Sequence, residues 1–289
     1  MGIGGGGDVV GAVACRIALG VDAVVGGLTW ERRVVDPLPG PRRLDELVGA
    51  RMLNDAVALA DGETTGPGGV RFAESRVAEL TGEDVVLVDP HPAPAAIGAA
   101  LSEAVRELGC DHLILLDVGG DVLAHGDEPG LGSPLADAVM LAAGTHADVP
   151  VTLAVWGAGC DGELTPTEVS ERLAEVWAAG GALGTCGLSE QQAAELEPVV
   201  AAVPTEASAM ALRSARGGHG RAAIREGRRH VELTPLAGLL FLLDVGATVR
   251  SAARLADAVR DAEGLNEANS ILRRLGVGTE LDYEVRMAQ

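Results

Sequence analysis

The chain predicts an α/β fold, a Rossmann-like doubly wound and mainly parallel sheet with helices on both faces. Three observations carry this expectation. Short Val- and Leu-rich runs alternate with longer amphipathic stretches, the pattern of repeated strand–helix units. Polar residues follow the apolar runs, as in open sheets whose ligands bind beyond the carboxyl ends of the strands. A chain of 289 residues, 47% hydrophobic with 40 glycines, has the length for a large core and the glycines for many tight turns.

Taken in order, the elements begin with a helix over 8–20. The glycine run before it starts at residue 2, so the strand that should feed it is missing: either the start site is truncated or the first strand is absent. A strand follows at 22–28, then a helix at 45–60 and a loop at 61–71. Further strands are expected at 85–89, 112–117, 151–156 and 239–243. Helices are expected at 94–108, 134–146, 166–179, 189–202, 251–262 and 265–275. Two helix starts are explicitly signalled. Thr165-Pro166-Thr167-Glu168 reads as a capping box with Pro at the first helical position, and Ser189-Glu190-Gln191-Gln192 reads as a second box. Residues 214–221 read as a loop. Neither a repeat nor a linker divides the chain, so one domain over 1–289 is expected.

Composition excludes several functions. The balance of 22 basic against 42 acidic residues gives −20, which repels nucleic-acid backbones and anionic lipid. All 22 basic residues are Arg. Without Lys there is no Schiff-base chemistry, which excludes pyridoxal phosphate, and no Walker-type ATP site. Four cysteines, widely spaced and without a CxxC, read as reduced thiols. The expectation is a cytoplasmic protein with no nucleic-acid or membrane partner, acting on a small anionic molecule; homo-oligomerisation stays open.

Candidate site residues gather after the predicted strands. The run Gly2-Ile-Gly4-Gly5-Gly6-Gly7-Asp8 contains a G-x-G-x-x-G pattern, whose N–H groups either hold an anion or only make a tight turn. Asp8 is expected to N-cap the following helix, where its charge opposes an anion unless a cation intervenes. Trp30, Glu31 and Arg32 end the next strand: Glu31 at the distance for a ribose contact, Arg32 for a phosphate, or both for a surface ion pair. Asp117-Val-Gly119-Gly120-Asp121 pairs two carboxylates across a glycine turn, suited to Mg²⁺ or to acid–base work, with loop capping by Asp121 as the plain alternative. His125 would serve as acid or base or lie idle in its loop. In Gly157-Ala-Gly159-Cys160-Asp161-Gly-Glu163, the two acids suit catalysis or ligand contact, while Cys160 has no basic partner nearby and reads as a buried thiol. Glu206 adds a further acid or an ordinary helix start. Arg213, Arg216, Arg221 and Arg225 either clamp a substrate anion or form a solvated face.

Several segments together carry a family resemblance: Gly-Ile-Gly-Gly-Gly-Gly-Asp-Val-Val-Gly-Ala (2–12), Trp-Glu-Arg (30–32) with Asp36-Pro37, Asp-Val-Gly-Gly-Asp-Val-Leu-Ala (117–124), Ser-Pro-Leu-Ala-Asp-Ala (133–138), Asp-Gly-Glu-Leu (161–164) and Thr-Glu-Leu-Asp-Tyr-Glu (279–284). The chain resembles, over its whole length, the family called "domain of unknown function 1152". The resemblance implies a single domain and brings no reaction with it. Members place a short strand before the glycine run.

The expectation is therefore an enzyme holding an anionic, phosphorylated or nucleotide ligand at the glycine loop. Asp117, Asp121, His125, Asp161 and Glu163 are its catalytic candidates for hydrolysis or group transfer, with Mg²⁺ on Asp117 and Asp121. Gly4, Gly5, Gly6, Gly7, Asp8, Trp30, Glu31, Arg32, Gly119, Gly120, Gly159, Cys160 and Glu206 are the ligand-contact candidates. The alternatives are an NAD(P)-dependent oxidoreductase using Glu31 and a non-catalytic ligand-binding subunit.

Overall fold

The computed structural model describes Met1–Gln289. After Met1–Ile3 come α1 (Asp8–Leu19), β1 (Gly26–Leu28), β2 (Arg51–Met52), β3 (Val57–Ala60), α2 (Ala73–Thr81), β4 (Val85–Val88), α3 (Pro94–Glu107) and β5 (Leu113–Val118). The chain continues through α4 (Leu135–His146), β6 (Val151–Trp156), α5 (Pro166–Ala178), β7 (Ala182–Gly187), α6 (Glu190–Ala202), α7 (Glu206–Ala215), β8 (Gly220–Ile224) and β9 (Arg229–Leu233). It ends with β10 (Leu239–Asp244), α8 (Val245–Ser251), α9 (Arg254–Val259), α10 (Leu265–Arg274) and α11 (Glu280–Ala288).

The fold is mixed α/β. One four-stranded sheet has the order β1-β4-β3-β2, a second β5-β6-β10-β7, and β8-β9 is a separate hairpin. Pairs β1–β4 and β5–β6 are parallel, whereas β3–β4, β2–β3, β10–β6 and β10–β7 are antiparallel. The sheets are thus mixed where a mainly parallel one was expected. Two segments are responsible: residues 45–60, expected as a helix, contain β2 and β3, and β10 runs antiparallel to both β6 and β7. Between β2 and β3 the chain turns at 53–56, where Asn54 Oδ1 accepts Ala56 N–H at 3.1 Å and Val57 N–H at 2.9 Å, so the two strands pair antiparallel.

The glycine run does have a feeding segment. Gly2 N–H donates to Gly26 O at 2.8 Å, Ile3 N–H to Leu116 O at 2.9 Å, and Leu116 N–H to Met1 O at 2.7 Å. Three residues, two of them buried, are enough to join β1 to β5 and to aim the glycine loop over the end of β5.

Strands β5, β6 and β10 of the second sheet are apolar on both faces because both are covered, while the edge strand β7 is exposed. Leu115, Leu153, Val155, Phe241 and Leu243 belong to one core cluster with α3, α4 and α8–α10. Leu116, Val118, Ala154, Trp156 and Leu240 belong to another with α1, α6, α7 and the β8–β9 hairpin. Alternate residues of one strand therefore anchor opposite layers. Both signalled capping boxes form, with Thr165 and Ser189 accepting from the N–H groups of Glu168 and Gln192.

Candidate functional site

The site is built at the carboxyl end of β5, starting from the glycine loop. Gly5, Gly6 and Gly7 have φ of 74°, 54° and 127°. A Cβ at Gly5 would stand 2.9 Å from Trp30 O, and one at Gly6 2.5 Å from Arg32 Cγ, so only glycine fits this passage. Gly7, not Asp8, occupies the N-cap position of α1, and no side chain caps that helix. The Asp8 carboxylate turns back instead, accepting Gly4 N–H at 3.0 Å and Val118 N–H at 3.4 Å. The loop thus already cradles an anion, and that anion is its own aspartate.

Asp117 stands at the end of β5, and its Oδ2 accepts Gly120 N–H at 2.7 Å across the glycine turn. Asp121 follows that turn, buried at the start of a short 3-10 turn, Asp121–Leu123. From the first turn of α4 comes Asp137, a residue outside the sequence-derived set. Asp8, Asp117 and Asp137 each bring a carboxylate oxygen within 4.8 Å of the other two. Asp121, Asp161 and Glu163 form a second group by the same measure. Asp137 Oδ1 is buried with no hydrogen-bond partner. A Cβ at Gly4 would lie 2.7 Å from Asp8 Oδ2 and 3.1 Å from Asp137 Oδ2, so glycine there leaves these two carboxylates room.

So many acids in one nest resist ionisation. Burial pushes Asp8 up to about 7 and Asp117 up to about 8, with Asp8 adding its charge to Asp117. Burial and the neighbouring carboxylates raise Asp121, Asp137 and Asp161 well above the ordinary range. Glu280, at the start of α11, accepts Ala136 N–H at 2.8 Å and Leu135 N–H at 3.1 Å, closing the N-terminus of α4; burial pushes it up to about 8. Glu163 is the best-compensated member. Its carboxylate accepts Gly132 N–H and Ser133 N–H, both at 2.8 Å, and the Ser133 hydroxyl at 2.5 Å. Arg225 and Arg229 approach it at 3.6 and 3.7 Å.

The remaining candidates divide. His125 turns to α5, where its ring meets Glu175 at 2.9 Å and Arg172, and it groups with Asp127 and Glu128 rather than with the carboxylate nest. Trp30 is buried and donates its indole N–H to Glu284. Glu31 is buried as well, with Oε1 accepting Ala73 N–H at 2.5 Å to close the N-terminus of α2. This engages the carboxylate that a ribose would need. Gly159 lies against the Pro166 ring, and Cys160 is fully buried with its thiol pushed up to about 12 by burial. Arg32 lies along Gly6, and Glu206 Oε1 accepts Arg225 N–H at 2.8 Å. Of the four arginines expected as a clamp, Arg225 reaches the nest, Arg216 pairs with Glu197, and Arg213 and Arg221 are exposed elsewhere.

Asp137 and Glu280 were missed because each looks like an ordinary acid in a helix's first turn. The available signal was their place in Ser-Pro-Leu-Ala-Asp and Thr-Glu-Leu-Asp, two of the segments that carry the family resemblance.

No helix is long and apolar enough to cross a membrane. Neither a curated protein nor a solved structure matches the chain. One family model matches residues 1–288, essentially the whole length, so the chain belongs to the family described as protein of unknown function (DUF1152).

Proposed function

We propose that this protein is a divalent-cation-dependent enzyme that hydrolyses, or transfers a group from, a small anionic molecule. The observation that carries the proposal is the Asp8–Asp117–Asp137 group with its unpartnered, buried Asp137 Oδ1. A buried acceptor without a donor is costly, and three mutually repelling carboxylates raise that cost further. A cation between them removes both penalties at once. Carboxylate oxygens alone select a hard ion such as Mg²⁺. Bound there, it would polarise a substrate oxygen and offset negative charge as it develops.

The rest of the chemistry belongs to the chain. Asp121, outside the cation-holding group, is buried among carboxylates that oppose its ionisation, which suits it to deliver or accept the proton. Asp161 abuts the Gly119 turn so closely that a Cβ there would lie 2.5 Å from its Cγ, which fixes the second carboxylate beside the first pair. Glu163 positions the 132–133 loop and the hairpin arginines rather than reacting.

A Rossmann-like, doubly wound arrangement is supported by the Met1–Ile3 bonds to Gly26 and Leu116, which would set the segment between β1 and β5 and give a central run of β4, β1, Met1–Ile3, β5 and β6. A cytoplasmic location fits reduced cysteines and the −20 charge.

Calorimetric titration with Mg²⁺ and Mn²⁺ tests the cation. Wild type is expected to bind, and Asp137→Asn to bind at least tenfold more weakly, about 1.4 kcal/mol. Equal affinity in the variant, or no binding by wild type at pH 7–8, overturns the proposal. Once a substrate is found in a panel of phosphorylated and unphosphorylated acids, Asp121→Asn is expected to lower turnover more than about tenfold.

A further inference from the structure

An acidic chain with an acidic nest repels the anionic substrates just proposed, so cationic groups are needed beside the nest to receive them. Two guanidinium groups do this. The Arg32 side chain runs along Gly6, donates to Pro204 O, and leaves its buried Nε without a partner. Arg225 stands at the tip of the β8–β9 hairpin with its side chain 46% exposed and Nη2 3.6 Å from Glu163 Oε1. Arg32 holds the carbonyl of Pro204 and Glu206 holds the Arg225 N–H, which ties both arginines to the same 204–206 turn. Thr205 packs against Gly7, and the adjoining Glu206 holds the Arg225 N–H, so glycine loop, α7 and hairpin tip converge at one point.

The tip itself is held in an unfavourable conformation. Arg225 and Glu226 have φ of 51° and 57°, the two non-glycine residues of the chain in the left-handed region. Such backbone persists where neighbouring contacts over-determine it, and here the Glu206 bond does so. Its effect is to keep Arg225 beside Glu163 at the edge of the nest.

We infer that Arg32 and Arg225 receive a phosphoryl group, so that the substrate of the carboxylate centre is a phosphorylated small molecule held between the glycine loop and the hairpin tip. The inference rests on the reading of that centre as cation-dependent. A carboxylate has two oxygens and is satisfied by one guanidinium fork. A tetrahedral phosphate has oxygens enough for two forks and a cation together.

The probe is inorganic phosphate, measured by equilibrium dialysis on the full chain, with Mg²⁺ and again in EDTA. Wild type is expected to bind phosphate in preference to acetate. Arg225→Gln is expected to weaken phosphate at least tenfold, and so is Arg225→Gly, which suits the left-handed backbone. Arg228→Gln, altering an exposed arginine paired with Glu226, is expected to match wild type. Unchanged phosphate affinity in both Arg225 variants, or acetate competing as well as phosphate, overturns the inference. Cation binding measured separately keeps the two claims apart. Bound cation with phosphate indifferent to Arg225 removes the arginine pair alone. Absent cation binding removes the carboxylate reading, and the EDTA dialysis still decides the arginines.

Discussion

A single oxygen, Asp137 Oδ1, separates a structural acid from a site acid. Ionising Asp137 is opposed by burial and then by Asp117, Asp8 and Glu280. Replacing it with Asn removes one charge from a nest that has too many and keeps the shape. Metal-free Asp137→Asn is therefore expected to melt a few degrees above wild type at pH 9, with the difference shrinking toward pH 5, where the carboxyls are protonated. The same variant loses cation affinity, the opposition expected where a site is built at the expense of stability. A melting temperature below wild type at pH 9 would show that the Asp137 carboxylate is satisfied in the metal-free protein. Cys160 gives the complementary case. With its thiol pushed up to about 12 and no solvent exposure, it is expected to resist iodoacetamide in the folded protein while half-buried Cys110 reacts, and Cys160→Ala is expected to keep turnover.

At the scale of elements, α1 carries the glycine loop and its seating on β5 sets the geometry of the nest. Gly11 faces β5 so closely that a Cβ would overlap Leu116 Cδ2 and Val118 Cγ2, both side chains buried. Helix propensity alone favours Ala over Gly by about 1 kcal/mol. Overpacking costs about 1–3 kcal/mol and wins here. Gly11→Ala is expected to lower the denaturation midpoint and weaken cation binding with it; a stabilised variant would mean α1 is free to shift off the strand. Elements with long periodic patterns or explicit caps, such as α1, α3, α5, α6, β5 and β6, were legible in the sequence. The helix expected at 45–60 was not there, since Val57–Ala60 has the same apolar composition in a short strand as in a buried helical turn. The Met1–Ile3 segment escaped because three residues are below any periodicity. Of the site, Asp117, Asp121, Asp161 and Glu163 could be read from their places after strands, and Asp8 from the glycine run before it. Asp137, Glu280 and the reach of Arg225 depend on how distant helices and a hairpin dock, which local sequence does not encode.

For the molecule as a whole, the carboxylate nest sets the direction in which stability depends on pH. Asp8 and Glu31 rise from ordinary values of 3.8 and 4.5 to about 7, and Asp117 and Glu280 from 3.8 and 4.5 to about 8, burial being the first cause in each. Each is harder to ionise folded than unfolded, so between pH 4 and 8 the folded state binds more protons. Stability from these groups is full below the unfolded values and is lost as pH climbs through 7 and 8. The net charge of −20 works in the same sense. Metal-free protein is accordingly expected to melt several degrees lower at pH 8.5 than at pH 5.5. Millimolar Mg²⁺ should recover much of that loss at pH 8.5 and almost none at pH 5.5, because a cation competes with protons for the same oxygens. Sodium chloride at equal ionic strength separates binding from screening: it weakens the long-range repulsion of exposed charges but reaches a buried nest poorly. Melting temperatures that stay level from pH 5.5 to 8.5 would remove the energetic reason for a cation at Asp8, Asp117 and Asp137. Recovery by sodium chloride equal to that by Mg²⁺ would assign the effect to surface charge instead of the site.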